Sequence, residues 1–264
     1  MSFLKNKHYN KASLILVTYN NYKLLVKALE SIYTYTPHNL FHLYIIDNNS
    51  TDKTASLHAK KLVNTTLIKN NKNLYWAGGI NQGILLSQDK YKYIFFLNDD
   101  IEVYSNWLQN HISVLDKYPD VGVVGPLDSS INSGQGYVNI KKHLYPKLPG
   151  FNLEKRFDLK YVNDLFRNQS YISVSGTLGF FCVGFRSEVV KKIGLLDERF
   201  IMSADDEDYA RRLEEQNYKL CLLLNTYIIH YSGITRSETD KNFRAQCTKN
   251  GFKLLKQKYP SCYI

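Results

Sequence analysis

Short apolar runs alternate with amphipathic stretches through the first half of the chain, and each run stops at polar residues. Residues 12–17 precede Thr18-Tyr19-Asn20-Asn21, residues 43–46 precede Asp47, and residues 93–97 precede Asn98-Asp99-Asp100. Such runs read as buried strands, and the stretches between them as helices. Leu24, Leu25, Ala28, Leu29 and Ile32 mark one face of a helix over 22–33, and Ser50-Thr51-Asp52 opens another with Ser50 as its cap. Ser105 is placed to cap a helix containing Trp107, Leu108, Ile112 and Leu115, and a further strand follows over 121–124. Strands that alternate with helices pair mostly in parallel, because a parallel neighbour is reached only through a crossover. The expected fold is therefore α/β, with a mostly parallel central sheet flanked by helices.

Open sheets of this kind bind ligands beyond the carboxyl ends of their strands. That rule gives the triplet Asn98-Asp99-Asp100 its meaning. Adjacent carboxylates repel unless a cation or hydrogen-bond donors compensate, and a hard divalent cation carrying nucleotide phosphates is a natural partner. The competing reading is an acidic turn in which Asn98 and Asp99 bond to nearby backbone.

The second half is less regular. Residues 128–170 are rich in Gly, Pro, Asn and Lys and read as a long loop or insert. Order returns over 176–183, followed by a short helix capped by Ser187 and ended by Gly194. Asp205-Asp206-Glu207-Asp208 then opens a helix carrying Tyr209, Arg211, Arg212 and Leu213. Acids at a helix N-terminus gain from its dipole, but four in a row exceed what capping needs. Apolar runs over 220–224 and 227–229 lead to His230, and a basic amphipathic helix is expected over 240–258. Its apolar residues Phe243, Phe252, Leu254 and Leu255 accompany Lys241, Arg244, Lys249, Lys253, Lys256 and Lys258.

Composition narrows the partners. A net charge of +10 favours anions, yet the lysines are dispersed and no zinc-finger, helix-turn-helix or RNP-type pattern occurs, which argues against nucleic acid as a partner. Cys182, Cys221, Cys247 and Cys262 form no CxxC pair, as expected of free thiols in a reducing compartment. No apolar stretch approaches the ~18 residues of a membrane helix, and residues 1–7 lack the apolar segment of a signal peptide. The expectation is one cytoplasmic domain over 1–264. The basic helix is either a solvated face or a peripheral contact with the anionic cytoplasmic membrane surface.

Taken in order, Val17-Thr18-Tyr19-Asn20, Asp47-Asn48-Asn49-Ser50-Thr51-Asp52, Leu97-Asn98-Asp99-Asp100, Leu195-Leu196-Asp197-Glu198-Arg199-Phe200 and Asp205-Asp206-Glu207-Asp208-Tyr209 resemble the family 2 glycosyltransferases of GT-A fold. The resemblance covers about residues 12–235 and is nearest in pattern to rhamnosyltransferase-like bacterial enzymes. It implies an inverting transferase that moves a sugar from a UDP- or dTDP-linked donor to a hydroxyl of a glycan or lipid-linked glycan, with Mn²⁺ or Mg²⁺ on the diphosphate.

By this resemblance Asp100 matches the last acid of the family's DxD motif and is the expected metal ligand. Asn98 takes the first position, where it can reach a phosphate, the ribose or a metal-bound water, and Asp99 the middle one. His230 resembles the family's late metal or phosphate ligand. Asp47 can accept the N3 hydrogen of uracil or thymine, with Thr18, Tyr19 and Asn20 on the base and ribose; a carboxylate would also accept from guanine, and an Asx-turn is the plain alternative for Asp47. The segment Trp76-Ala77-Gly78-Gly79-Ile80-Asn81 matches the family's small-residue stretch beneath the donor, where Gly79 would let backbone approach phosphate and Asn81 would hydrogen-bond it; close helix packing explains the glycines equally well. Asp206 matches the general base, while Asp205 stands where Glu is commoner, so either acid is a candidate. Asp208 is expected to cap or to pair with Arg211 or Arg212. The aromatic stretch 176–181 and the 128–170 loop are expected to shape the acceptor site.

Two other functions fit parts of the pattern. A sugar-1-phosphate nucleotidyltransferase would need a Gly-rich basic loop after the first strand, which Thr18-Tyr19-Asn20-Asn21 is not. A non-catalytic nucleotide-sugar binding module would have no use for both Asp100 and Asp206.

Overall fold

Strand β1 (Ala12–Thr18) is buried along its whole length, so both its faces must be covered by other elements. A computed structural model describes residues 12–59, 62–129, 171–174, 176, 178–231 and 240–262 and shows how this is done. Beside β1 lie β2 (Phe41–Asp47) and β4 (Tyr93–Asn98), both parallel to it, and β3 (Thr65–Lys69) extends the sheet parallel to β2. On the other side, β8 (Cys182–Arg186) runs antiparallel between β4 and β6 (Val121–Asp128). Strand β9 (Lys219–His230) is parallel to β6, while the short β5 (Ile101–Glu102) and β7 (Tyr171–Val174) pair antiparallel with β9.

Side chains alternate across this sheet and generate two cores. On one face, Ile15, Val17 and Phe96 pack against α2 (Tyr75–Ser87), α4 (Ser187–Ile193) and α5 (Asp205–Glu215) through Ile80, Ile84, Val190, Tyr209 and Leu213. On the other, Leu14, Leu16 and Phe95 meet α1 (Tyr22–Tyr35) and α3 (Trp107–Lys117) through Leu25, Leu29, Ile32, Trp107 and Leu115. Each fully buried aliphatic side chain contributes about 1.5–3 kcal/mol to this packing. Trp107 is 1% exposed, and its indole N–H is satisfied by Thr36 Oγ1 at 2.8 Å.

Several local expectations need correction. Two elements, β3 and α2, carry no apolar period of their own. Strand β3 is a half-exposed edge, and α2 tolerates glycines because Gly79 and Gly83 lie directly on β1. A Cβ at Gly83 would come within 2.3 Å of Ile15 Cγ2, so the residue exists for close packing. The helix expected from Ser50 is a 3₁₀ segment, Lys53–Ala59, whose Thr54 N–H is held by Asp52 at 2.9 Å, and Ser50 Oγ instead accepts from Asn20 N–H. Asn106, in the left-handed region, precedes α3 in place of Ser105. Ser187 is the first residue of α4, and its hydroxyl donates to the Tyr91 carbonyl. The runs over 220–224 and 227–229 are one strand. The C-terminal helix α6 (Lys241–Lys258) is capped by Asp240 through the Phe243 N–H at 2.7 Å, but of its expected apolar side Phe243 and Phe252 are exposed while Leu255 is buried. Most of the expected 128–170 loop lies outside the described residues.

The topology gathers the carboxyl ends of β1, β2, β4, β6 and β9 along one edge of the sheet. Thr18, Asp47, Asn98, Asp128 and His230 are those ends, and β8, running the other way, begins there at Cys182.

Candidate active site

A cavity of about 510 Å³ opens along this edge, lined by Thr18, Tyr19, Asn98, Asp99, Asp100, Asp205, Asp206 and His230 among others. Residues far apart in sequence meet here because the strand ends converge. Chain reversals around its mouth place Asn20, Tyr75, Met202 and Ala204 in the left-handed region, with φ of 49°, 58°, 59° and 67°. Non-glycine residues adopt it at a cost, and such strain concentrates at functional sites.

The two acids of the triplet do different work. Asp99 accepts from Thr18 Oγ1 at 2.6 Å and from Asn21 Nδ2 at 2.9 Å, which ties the end of β4 to the β1 turn. Burial, then the neighbouring Asp100 charge, raises its pKa to about 7. Asp100 is 5% exposed, and its Oδ1 has no hydrogen-bond partner. Pairing of Ile101 with His230 brings the imidazole to it, and His230 Nε2 lies 3.3 Å from that oxygen. The Tyr231 N–H also donates to the Asp100 carbonyl at 2.9 Å, which fixes the two segments together.

His230 is held from two further sides. Its ring stacks on Phe181 with centroids 4.4 Å apart and planes 17° from parallel, and Nδ1 faces Asp128 Oδ2 at 4.0 Å. Neither contact was legible in the sequence. The strand-end rule would have reached Asp128 had β6 been extended through Gly125 and Pro126. A buried carboxylate oxygen without a donor, beside an imidazole nitrogen, fits a divalent cation that takes its remaining ligands from phosphate and water. Among the described residues no group of three or more His, Cys, Asp or Glu is gathered to enclose an ion, so Asp100 and His230 are the candidate pair.

The same cavity is lined by Asp205 and Asp206, in the first turn of α5. Burial and then the Asp206 charge raise the pKa of Asp205 to about 7, so Asp205 keeps its proton closer to neutrality than a free carboxyl does. Asp206 Oδ1 accepts from the Glu207 N–H at 2.9 Å, which orients its carboxylate. Asp208 is fully buried and turned to structural use. It pairs with Arg212 at 3.0 Å and with Lys258, and accepts from Tyr259 Oη at 2.9 Å. Arg211 pairs with Glu207 instead, at 2.7 Å.

Four other residues expected at the site are not among those lining the cavity. The Asn20 amide oxygen accepts from the Thr51 N–H at 2.7 Å, bracing the β1 and β2 turns. Asp47 is fully buried and accepts from the Ser50 N–H at 2.8 Å. Gly79 faces Val17, and Asn81 is bonded to Leu196 and to Glu198 at 2.9 Å, pinning the chain that leads toward α5. The cavity instead takes Asn48, Asn73, Tyr75 and Trp76 from this side, with Phe180, Phe181 and Phe243 from later segments.

Three solved structures share this fold. They are GalNAc-T7 with UDP, GalNAc and Mn²⁺ (TM-score 0.63, 16% identity, 84% of this chain and 44% of that one), the mannosyltransferase PcManGT from Pyrobaculum calidifontis with GDP-Man and Mn²⁺ (0.62, 15%, 87% and 60%), and S. aureus TarS 1–349 with UDP-GlcNAc (0.61, 15%, 95% and 73%). The fold is GT-A. Residues 13–194 match the family model described as glycosyl transferase family 2, and the chain belongs to that family. The O-antigen biosynthesis protein RfbC of Myxococcus xanthus is 26% identical over 238 residues, 86% of this chain but 18% of that protein. The chain thus spans under a fifth of that curated relative.

Proposed function

We propose that the chain is an inverting glycosyltransferase of polysaccharide biosynthesis, moving a hexosyl or deoxyhexosyl group from a UDP- or dTDP-sugar to a hydroxyl of a glycan or lipid-linked glycan. A rhamnosyltransferase-like specificity is the finer form of this reading. The observation that carries it is one cavity lined both by the Asp100–His230 pair and by Asp205 and Asp206.

Asp100 and His230 would hold Mn²⁺ or Mg²⁺, which when bound offsets the negative charge that builds on the leaving diphosphate. Asn98, at the end of β4, faces the cavity beside them and offers an amide to the phosphates or ribose. Thr18 and Tyr19 line the end of β1, where the nucleoside is expected. Asp206 accepts the acceptor's hydroxyl proton as that oxygen bonds to the anomeric carbon. The bond from that carbon to the diphosphate oxygen breaks on the opposite face, and the nucleoside diphosphate leaves with its electron pair. Asp205, held partly protonated, keeps negative charge beside Asp206 low enough for one ionised carboxylate to persist.

Complexes of the three structural neighbours with UDP, GDP-Man and UDP-GlcNAc support a nucleotide-sugar donor, and the RfbC relative supports a glycan acceptor. No described helix is long and apolar enough to cross a membrane. The basic face of α6 is the proposed peripheral contact with a membrane that carries a lipid-linked acceptor. A screen of UDP- and dTDP-sugars against glycan acceptors, read as nucleoside diphosphate release, tests the proposal. Release that depends on both acceptor and divalent metal is expected; no release from any donor refutes it.

A further inference from the structure

We propose that Tyr75 and Phe243 form an aromatic shelf at the rim of the cavity on which a pyranose ring rests by its C–H face, making the C-terminal helix part of sugar recognition. This rests on reading the cavity as a site of glycosyl transfer. Both residues line it. Their rings are stacked, 26° from parallel with centroids 6.4 Å apart, which braces one ring against the other and leaves an outer aromatic face for a ligand. Phe243 is 41% exposed although it sits on a helix whose Cys247 and Leu255 are buried. It therefore contributes little to holding α6 in place.

The shelf is rigid by construction. Tyr75 adopts φ 58°, a conformation a bulky aromatic residue rarely takes. Its N–H donates to Asn73 Oδ1 at 2.7 Å and its carbonyl accepts from Asn48 Nδ2 at 2.9 Å, so the peptide is clamped on both sides. The backbone of Phe243 is held by the Asp240 cap at the start of α6, and its ring stacks on Tyr75. Further along, Leu255 packs with Phe200 and Ala204, and a Cβ on Gly251 would lie 3.0 Å from the Ser203 carbonyl oxygen. Helix α6 is thereby seated on the segment that runs directly into Asp205 and Asp206. A ligand with one apolar face and a hydroxyl rim suits a cavity lined by both aromatic rings and carboxylates. A pyranose has that form.

The ring could belong to the acceptor or to the donor sugar, and saturation-transfer NMR on the full chain separates them. One arm titrates a panel of methyl hexopyranosides in the presence of UDP and MgCl₂; the other compares UDP-GlcNAc with UDP. We expect saturation concentrated on the axial C–H protons of one ring face. Phe243→Leu should weaken pyranose binding about tenfold, the worth of a lost aromatic contact, and Phe243→Trp should preserve it. Signal on the free glycosides assigns the shelf to the acceptor, and signal only on the sugar of UDP-GlcNAc assigns it to the donor. Absence of pyranose saturation in both arms, or saturation undiminished in a Phe243→Leu protein with an unchanged melting curve, overturns the proposal. The readout needs no turnover, so a shelf that binds sugar in a protein that releases no nucleoside diphosphate would sink the transferase reading separately.

Discussion

Replacing Asp100 with Asn should make the free protein more stable while removing its response to metal. The Asp100 Oδ1 atom is buried without a hydrogen-bond donor, and its near neighbour is His230 Nε2 at 3.3 Å. Leaving a buried polar group unsatisfied costs about 1–3 kcal/mol, more when it is charged, and a ring nitrogen beyond good hydrogen-bond distance offsets only part of this. Asn keeps the shape and removes the charge. For a chain of this size each kcal/mol moves the melting temperature by about 2–4 °C, so a rise of a few degrees is expected without metal. In the original protein, Mn²⁺ with UDP at about a hundred times its dissociation constant should add about 2.7 kcal/mol by mass action. The variant should lose the part of that gain due to the metal. Thermal melts of both proteins, with and without MnCl₂ and with UDP present throughout, give all four values. An Asp100→Asn protein that melts lower than the original yet keeps the full metal-induced shift would refute the assignment of this oxygen as a ligand.

Asp206→Asn should leave UDP-sugar affinity intact by calorimetry while cutting transfer by about 10² to 10⁴; equal loss of both would count against a role on the acceptor. Asp205 has a folded pKa raised from 3.8 to about 7, so the folded state binds more protons than the unfolded chain between those values, and its ionisation costs stability as pH rises through that window. Asp205→Asn should therefore raise the melting temperature at pH 7.5, with the gain shrinking toward pH 5; a gain independent of pH would contradict the raised pKa. On α6, Lys258 is committed to Asp197 at 3.0 Å and to Asp208, so Lys249 and Lys253 are the residues to change to Gln in a vesicle co-sedimentation test. Binding to anionic vesicles at low salt that falls with these changes supports the peripheral contact, at about 1 kcal/mol per lysine; unaffected binding removes this helix as the anchor.

The parts of the fold legible in the sequence were those whose burial imposes a period. Strands β1, β2 and β4 are continuous apolar runs, and α1 and α3 carry one clear apolar face. Strand β3 is half exposed and α2 is apolar on several sides, so neither announces itself. At the site, the acids at the end of β4 and the start of α5 stood out because charge beside buried structure needs a reason. Amides gave no such contrast. Asn81 holds Leu196 and Glu198 with the same groups that could hold a phosphate, and sequence cannot tell one partner from the other. Phe181 under His230 and Phe243 beside Tyr75 were out of reach because they depend on contacts made only when distant segments fold together.

The most direct test of a base at Asp206 acting opposite the leaving diphosphate is the anomeric configuration of the first product, read by proton NMR during turnover of the donor selected in the screen. A single displacement predicts that the anomeric proton appears with the configuration opposite to the donor's, in a reaction that Asp206→Asn suppresses. A product that keeps the donor's configuration would contradict the account.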